Sequence, residues 1–188
     1  MTLLQSFWFM LPAVAGGAVH IAVIKLDLLP GLARVPLDFG LRFRGERLFG
    51  ANKTLRGLVV MPAATAIFAL LQGTLLRSAP LLWPPGFESV DPLAWGLALG
   101  FGYILGELPN SFFKRQLGIA PGDAAGGAAG RIFWFVDQLD ALAGALAVMC
   151  LFWVPPLAVV IYLVLLTLLI HPLMAALMYV LGLKRRIG

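Results

Sequence analysis

Five long apolar stretches divide this chain, and they constrain its fold more than any other feature. They cover about residues 3–24, 57–76, 92–108, 132–153 and 157–183. A helix needs about 20 apolar residues to cross the hydrocarbon of a bilayer, where its backbone polar groups must be satisfied within the segment. The sequence therefore predicts an all-α integral membrane protein, a single domain over residues 1–188 that forms a bundle of five transmembrane helices. We expect the third helix to end before Pro109 and the fifth to be interrupted at His171 and Pro172.

The composition agrees with a membrane location. Hydrophobic residues make up 61% of the chain and charged residues 12%, whereas a soluble domain has about half and about a quarter. The first ten residues contain no Lys or Arg ahead of the apolar run. Because a secretory signal begins with a basic region, we interpret the first stretch as a retained helix.

The basic residues predict the orientation of the bundle. All but one of the 14 Lys and Arg residues fall on one side of the predicted helices. They are Lys25, Arg34, Arg42, Arg44, Arg47, Lys53, Arg56, Lys114, Arg115, Arg131, Lys184, Arg185 and Arg186, and the exception is Arg77. The positive-inside rule then places two basic loops and the carboxyl terminus in the cytoplasm, with the amino terminus outside a cell membrane. Because the charge gathers at membrane edges, the net charge of +5 does not indicate nucleic acid as a partner.

Two acids, Asp137 and Asp140, lie inside the fourth apolar stretch. Carboxylates are costly in a membrane helix and usually functional there, and a spacing of three residues places both on one face. Two such oxygen ligands suit Mg²⁺ carrying a phosphorylated substrate, which makes this pair the candidate metal site. The alternative is two acids that reach water at the interface. Glu107, at the end of the third stretch, is a candidate further ligand or a solvated helix end.

Two basic motifs lie next to predicted helices, one just after the third apolar stretch and one just before the second. Asn110 and Ser111 lead into Lys114 and Arg115, whose side chains can form charge-assisted hydrogen bonds with phosphate. The other motif consists of Asn52, Lys53, Thr54 and Arg56, which offer donors to an anion near a helix start. The alternative for each motif is a positive anchor at the membrane surface.

Three further features remain open to two readings. His171 could contact substrate or hydrogen-bond within the bundle. The low-complexity segment 120–130 could cover a bound substrate or be a plain surface loop. Gly96, Gly100, Gly102 and Gly106 lack the spacing of a nucleotide fingerprint, and we predict that they form a close helix–helix interface.

Several sequence blocks follow one another in a distinctive order, namely residues 36–40, 47–50, 52–57, 105–107, 111–118 and 137–140. In this order they resemble the CDP-archaeol synthase family of membrane cytidylyltransferases. The resemblance implies five membrane helices and a Mg²⁺-dependent reaction in which CTP and a membrane lipid phosphate give a CDP-activated lipid and pyrophosphate. It also implies that Asp137 and Asp140 bind metal, and that Lys53, Arg56, Lys114 and Arg115 occupy the family's basic loop positions.

These observations predict cytidylyl transfer at the cytoplasmic face. We expect Asp137, Asp140, Lys114 and Arg115 to be catalytic, with Lys114 and Arg115 on the triphosphate. The remaining candidates, all for substrate binding, are Asn52, Lys53, Thr54, Arg56, Asn110, Ser111 and His171. Two other classes of protein stay open, an ion-coupled transporter that uses the same acids and a non-catalytic membrane subunit. The latter is suggested by Ala51, which stands where the family resemblance leads us to expect an acid.

Overall fold

The computed structural model describes residues 2–76, 82, 87, 89–123 and 126–183. Its helices and strands, in chain order, are α1 (Leu3–Lys25), α2 (Pro30–Ala33), β1 (Arg42–Phe43), β2 (Glu46–Arg47), α3 (Leu55–Leu76), α4 (Pro92–Gln116), α5 (Gly127–Met149) and α6 (Leu157–Val180). The two short strands pair antiparallel in the loop between α1 and α3. Lys184, Arg185, Arg186 and Arg77, which entered the prediction of orientation, lie outside the described residues.

Within that described part of the chain, four helices are long and apolar enough to cross a membrane, namely α1, α3 up to Leu75, α5 and α6. The fifth long helix, α4, packs against both α3 and α5. It is less apolar because its second half carries Glu107, Lys114 and Arg115. The prediction of a helical, multi-pass membrane protein is therefore confirmed.

Several predicted helix ends are wrong. Helix α4 continues through Pro109 to Gln116, and α6 runs through Pro172 without interruption. A membrane helix tolerates proline because neighbouring helices and local backbone adjustments satisfy the polar groups that the proline frees. Helix α5 begins at Gly127, inside the low-complexity segment that we expected to be entirely loop, and ends at Met149.

The glycines of α4 let it approach two neighbours at backbone distance. A Cβ atom on Gly100 would lie 2.4 Å from Cα of Pro62 in α3. On the other side, a Cβ atom on Gly106 would lie 2.4 Å from the carbonyl oxygen of Asp140 in α5, and one on Gly144 would lie 2.1 Å from that of Gly102. The predicted glycine interface is confirmed, and it presses the charged half of α4 against the acidic half of α5.

Aromatic rings fill the opposite end of the bundle, where α1 and α4 begin and α5 connects to α6. The ring of Phe9 lies 5.0 Å from Phe87 and 4.8 Å from Trp95, centroid to centroid. Trp153 joins the cluster at 5.6 Å from Phe9. Phe9, Phe87 and Trp95 are at most 4% exposed, so this aromatic cluster forms the packed core of that end.

Candidate functional site

A cavity of about 450 Å³ lies among α1, α4, α5 and α6 and reaches the loop before α3. Its polar end is lined by Asn52, Lys53, Glu107, Asn110, Ser111, Lys114, Arg115, Asp123, Asp137 and Asp140. Deeper in the bundle the wall is apolar, with Phe9, Met10, Ile21, Leu99, Leu163 and Met174 among its residues. One cavity therefore joins a charged compartment to an apolar one.

The two acids of α5 meet at a single amide of α4. Asn110 Nδ2 donates hydrogen bonds to Asp137 Oδ1 at 2.6 Å and to Asp140 Oδ2 at 2.7 Å. Lys114 Nζ, one turn further along α4, donates to Asp137 Oδ2 at 2.6 Å. The prediction that Asp137 and Asp140 share one face is thus confirmed, and the close α4–α5 contact is what places their partners.

A second charge pair, Lys53 with Glu107, lies in the same wall. Each of these side chains is 20% exposed. Burial lowers the pKa of the Lys53 ammonium, but Glu107, Asp140 and Asp137 raise it by more, so the net direction is upward. Lys53 therefore stays cationic beside the carboxylates.

The donor set at the polar end fits a divalent cation. Two carboxylate oxygens lie within 2.7 Å of one Asn110 nitrogen, and Asn110 Oδ1 is buried without a hydrogen-bond partner. Mg²⁺ is commonly held by one or two carboxylates, with its other positions left to water and substrate phosphate. Among the described residues, no three His, Cys, Asp or Glu side chains converge as ligands. Glu107 is ion-paired with Lys53, so its role as a metal ligand stays a prediction.

The loop between α1 and α3 is folded around Asp38, a residue to which sequence reasoning gave no role. Asp38 is 2% exposed, and its carboxylate accepts hydrogen bonds from the backbone N–H groups of Gly40, Phe49 and Gly50 and from the Arg47 guanidinium. Burial alone would raise the pKa of Asp38, but these donors lower it from 3.8 to about 2. The only sequence signal was its place in the block 36–40 that carries the family resemblance.

This clamp positions one of the basic motifs. We call Asp38 and its four donors the Asp38 clamp. The segment just before Asp38 is hydrogen-bonded to the segment that leads into α3. Leu37 N–H donates to the Lys53 carbonyl at 2.7 Å, and Leu55 N–H donates to the Val35 carbonyl at 2.9 Å. Asn52 and Lys53 consequently line the cavity. Thr54 and Arg56 do not line it, and Arg56 Nη1 instead donates to Asp27 Oδ1 and the Leu28 carbonyl.

His171 reaches the cavity from α6. Its Nδ1 lies 2.9 Å from Oε1 of Gln138, a residue of α5 that is 6% exposed. The contact with Gln138 agrees with the predicted hydrogen bond within the bundle, and contact of His171 with substrate stays a prediction. Sequence reasoning missed Gln138 because a lone amide between two acids has no distinctive spacing.

Comparison with known proteins identifies close similarity along nearly the whole chain. The profile of a family described as "CarS-like: CDP-archaeol synthase" matches residues 1–187. The chain is 36% identical to a CDP-archaeol synthase of Thermofilum pendens over 182 residues, 96% of this chain and 78% of that protein. It is 33% identical to one of Methanopyrus kandleri over 183 residues, 96% of this chain and 90% of that protein.

A solved structure has the same fold. It is described as "an intramembrane enzyme for archaeal membrane lipids biosynthesis". It superimposes with a TM-score of 0.63 and 29% sequence identity, and the match covers 90% of this chain and 92% of the other.

Proposed function

The chain belongs to the CDP-archaeol synthase family, and we propose that its cavity transfers the cytidylyl group of CTP to the phosphate of an archaeol-type lipid. The products are CDP-archaeol and pyrophosphate, so the protein is a CTP-dependent cytidylyltransferase of archaeal membrane lipid synthesis. One observation carries the assignment to this site. The cavity joins a compartment of acids and lysines to an apolar compartment between membrane helices, which matches a substrate with a phosphate head and hydrocarbon tails.

The lipid tails occupy the apolar compartment. Its wall comes largely from α1 and α6, including Met10, Ile21, Leu163 and Met174. Such a surface suits hydrocarbon chains because a lipid can move there from its leaflet without exposing its tails to water. The lipid phosphate then lies at the polar end, beside Lys53 and Lys114.

Asp137 and Asp140 would hold Mg²⁺, with Glu107 as a candidate further ligand. A divalent cation bound there would offset the negative charge of the phosphates and orient them. Support comes from the two carboxylates that converge on Asn110 Nδ2 and from its buried, unpartnered Oδ1.

The lysines bind and align the phosphates. Lys114 lies against Asp137 and Lys53 against Glu107, so both cations stand at the rim of the carboxylate pair. Asn110, Ser111 and Asn52 add hydrogen-bonding groups to this wall, as does His171. Arg56 and Thr54 support the loop from outside the cavity, where Arg56 holds Asp27.

In the transfer itself, an oxygen of the lipid phosphate attacks the α-phosphorus of CTP. The bond from that phosphorus to the bridging oxygen breaks in line, and pyrophosphate leaves with the electron pair. The attacking phosphate is already ionised, so no separate base is needed. Lys53 and Lys114 supply positioning and charge neutralisation, which dominate catalysis of phosphoryl-type transfer.

The bundle crosses the cell membrane five times, with α4 as the additional span, the amino terminus outside and the carboxyl terminus in the cytoplasm. Every described Lys and Arg lies at the end of the bundle that holds the polar compartment. Positive charge favours the cytoplasmic side, where CTP is found.

The test is product formation by the purified protein. We expect Mg²⁺, CTP and an archaeol-type lipid phosphate to give a CDP-lipid, identified by mass, and chelation of the metal to stop the reaction. Asp137→Asn should lower turnover at least about a hundredfold, because the site loses the charge that holds the cation. A melting temperature within a few degrees of wild type controls for folding. Undiminished turnover in this variant would remove the metal assignment.

A further inference from the structure

Arg115 lies buried without a partner for most of its guanidinium. The residue is 8% exposed, and neither Nε nor Nη1 has a hydrogen-bond partner, although both atoms are buried. Buried polar groups are almost always paired, because an unpaired donor loses its hydration without compensation. Arg115 lines the cavity, so a ligand in the cavity is the natural acceptor.

The surroundings of Arg115 differ from those of Lys114. One residue along a helix turns the side chain by about 100°, so the two point to different sides of α4. Lys114 bonds to Asp137, whereas Arg115 faces two loops. A Cβ atom on Gly50 would lie 3.4 Å from Cδ of Arg115 and 3.1 Å from Cγ of Pro121. The left-handed φ of Gly50 (+95°) also favours glycine there.

The charges around Arg115 do not suit a phosphate. Asp123 and Glu46 are the acids whose charges act on its guanidinium, yet neither forms an ion pair with it, and Asp123 lines the cavity itself. A phosphate beside these carboxylates would be repelled by them. A neutral ligand that offers both acceptors and donors would match an arginine with an acid nearby.

We propose that Arg115 and Asp123 bind the cytosine base of CTP and thereby select CTP over UTP, an inference that rests on the proposed cytidylyl transfer. Cytosine presents two neighbouring acceptors, O2 and N3, and a donor amino group at position 4. The parallel N–H groups of arginine suit the two acceptors, and an aspartate accepts from the amino group. Uracil has a donor at N3 and an acceptor at O4. The arginine would then place a donor against the N3 donor, and the aspartate would place an acceptor against O4.

The measurement is kcat/KM for CTP and for UTP with purified protein, Mg²⁺ and an archaeol-type lipid phosphate. Wild type should prefer CTP. In Asp123→Asn the amide can accept from cytosine or donate to uracil, so the CTP-to-UTP ratio should fall about tenfold or more. Asp123 is exposed in its loop, so this change should leave the fold intact.

Arg115→Lys separates base binding from phosphate binding. Lysine keeps the charge but loses the paired N–H groups, so the CTP-to-UTP ratio should again fall about tenfold. If Arg115 instead held the triphosphate, both nucleotides would weaken together and the ratio would stay constant. Competition by CMP against UMP, which lack the outer phosphates, should show the same loss of preference in both variants.

Asp91→Asn is the matched control. It removes one carboxylate about 35 Å away at the other end of α4. Asp91 accepts from Ala94 N–H as the N-cap of α4, and asparagine caps a helix equally well. The CTP-to-UTP ratio of kcat/KM in this variant should equal that of wild type. If the wild-type protein forms no CDP-lipid, the proposed function is wrong. If the wild-type protein is active but does not prefer CTP, only the base site is wrong. The same holds if the CTP-to-UTP ratio is unchanged in Asp123→Asn and Arg115→Lys.

Discussion

At the scale of single residues, Asp38 shows how one buried charge can organise a loop that supplies a site. Three backbone N–H groups and Arg47 converge on its carboxylate. Two of those groups belong to Phe49 and Gly50, next to the segment that carries Asn52 and Lys53. The Asp38 clamp therefore fixes where this loop enters the cavity wall.

Replacement of the Asp38 carboxylate should open that loop. Asp38→Asn should increase the hydrogen–deuterium exchange of the Phe49 and Gly50 amides at neutral pH and lower turnover, because Lys53 is no longer held in place. Asp38 has a pKa of about 2 in the folded protein, below its ordinary 3.8. Its stabilisation, about 2 kcal/mol, is therefore present above about pH 4 and lost as the pH falls towards 2.

Wild type should accordingly lose protection of these amides between about pH 4 and pH 2. Asp38→Asn should show low protection throughout and no step in that window, since it has no carboxyl group to protonate. Equal protection in both proteins at neutral pH would contradict the role given to the Asp38 clamp.

Residues whose chemistry conflicts with their surroundings were predictable from sequence. Asp137 and Asp140 are acids in an apolar helix, so they could be identified as candidate site residues without a structure. The role of Asp38 could not, because it depends on backbone groups that converge only in the folded loop. Arg56 was predicted to contact substrate, but its guanidinium holds Asp27 across the loop after α1, a pairing that no local spacing indicates.

At the scale of helices, the glycine contact between α4 and α5 sets the geometry of the acids. Gly102 and Gly106 on α4 face Gly144 on α5 at backbone distance. Asp140 and Asn110 each lie one turn from this contact. A side chain inserted there would push α4 and α5 apart. It would thereby increase the distance between Asn110 on α4 and the two acids on α5.

Gly144→Ala should test this dependence. The added methyl group would lie 2.1 Å from the Gly102 carbonyl oxygen, and such overpacking costs about 1–3 kcal/mol. A displacement of about 1 Å at a reacting centre lowers rates about a hundredfold, so turnover should fall steeply while the melting temperature falls by several degrees.

Gly31→Ala in α2 is the control, because a Cβ atom there meets nothing within 4 Å. Wild-type turnover in Gly144→Ala would show that the α4–α5 contact does not set the site geometry.

The positions of the long helices were predictable, but some of their ends were not. Apolar length identified the membrane helices, and small residues at a spacing of four identified the interface. Pro109 and Pro172 were wrongly expected to end or interrupt helices. Proline rules describe an isolated segment, whereas α4 packs against both α3 and α5.

At the scale of the whole molecule, the described basic residues and one cluster of four aromatic rings occupy opposite ends. The described Lys and Arg residues lie with the polar compartment, and Phe9, Phe87, Trp95 and Trp153 close the other end. Composition predicts such polarity along a membrane normal. It does not predict the cavity, which exists because α1 and α6 face α4 and α5 across a gap.

Cysteine labelling tests the proposed orientation. Cys150 is the single cysteine, so a Cys150→Ser background removes native thiols. Val154→Cys, at a position 73% exposed in the α5–α6 connection, should react with a membrane-impermeant maleimide in intact cells. Arg34→Cys, exposed on the basic side, should react only after permeabilisation. The reverse pattern would invert the proposed topology.

The cavity is polar at one end and apolar at the other, and this determines how the two substrates of the proposed reaction can reach it. A nucleotide can diffuse in from water and a lipid can slide in sideways within its own leaflet, and neither has to enter the other's solvent. Only two phosphorus groups meet at the boundary. No carrier is therefore needed to extract the lipid substrate from the membrane. The product is already in the membrane, where later steps of lipid synthesis can use it.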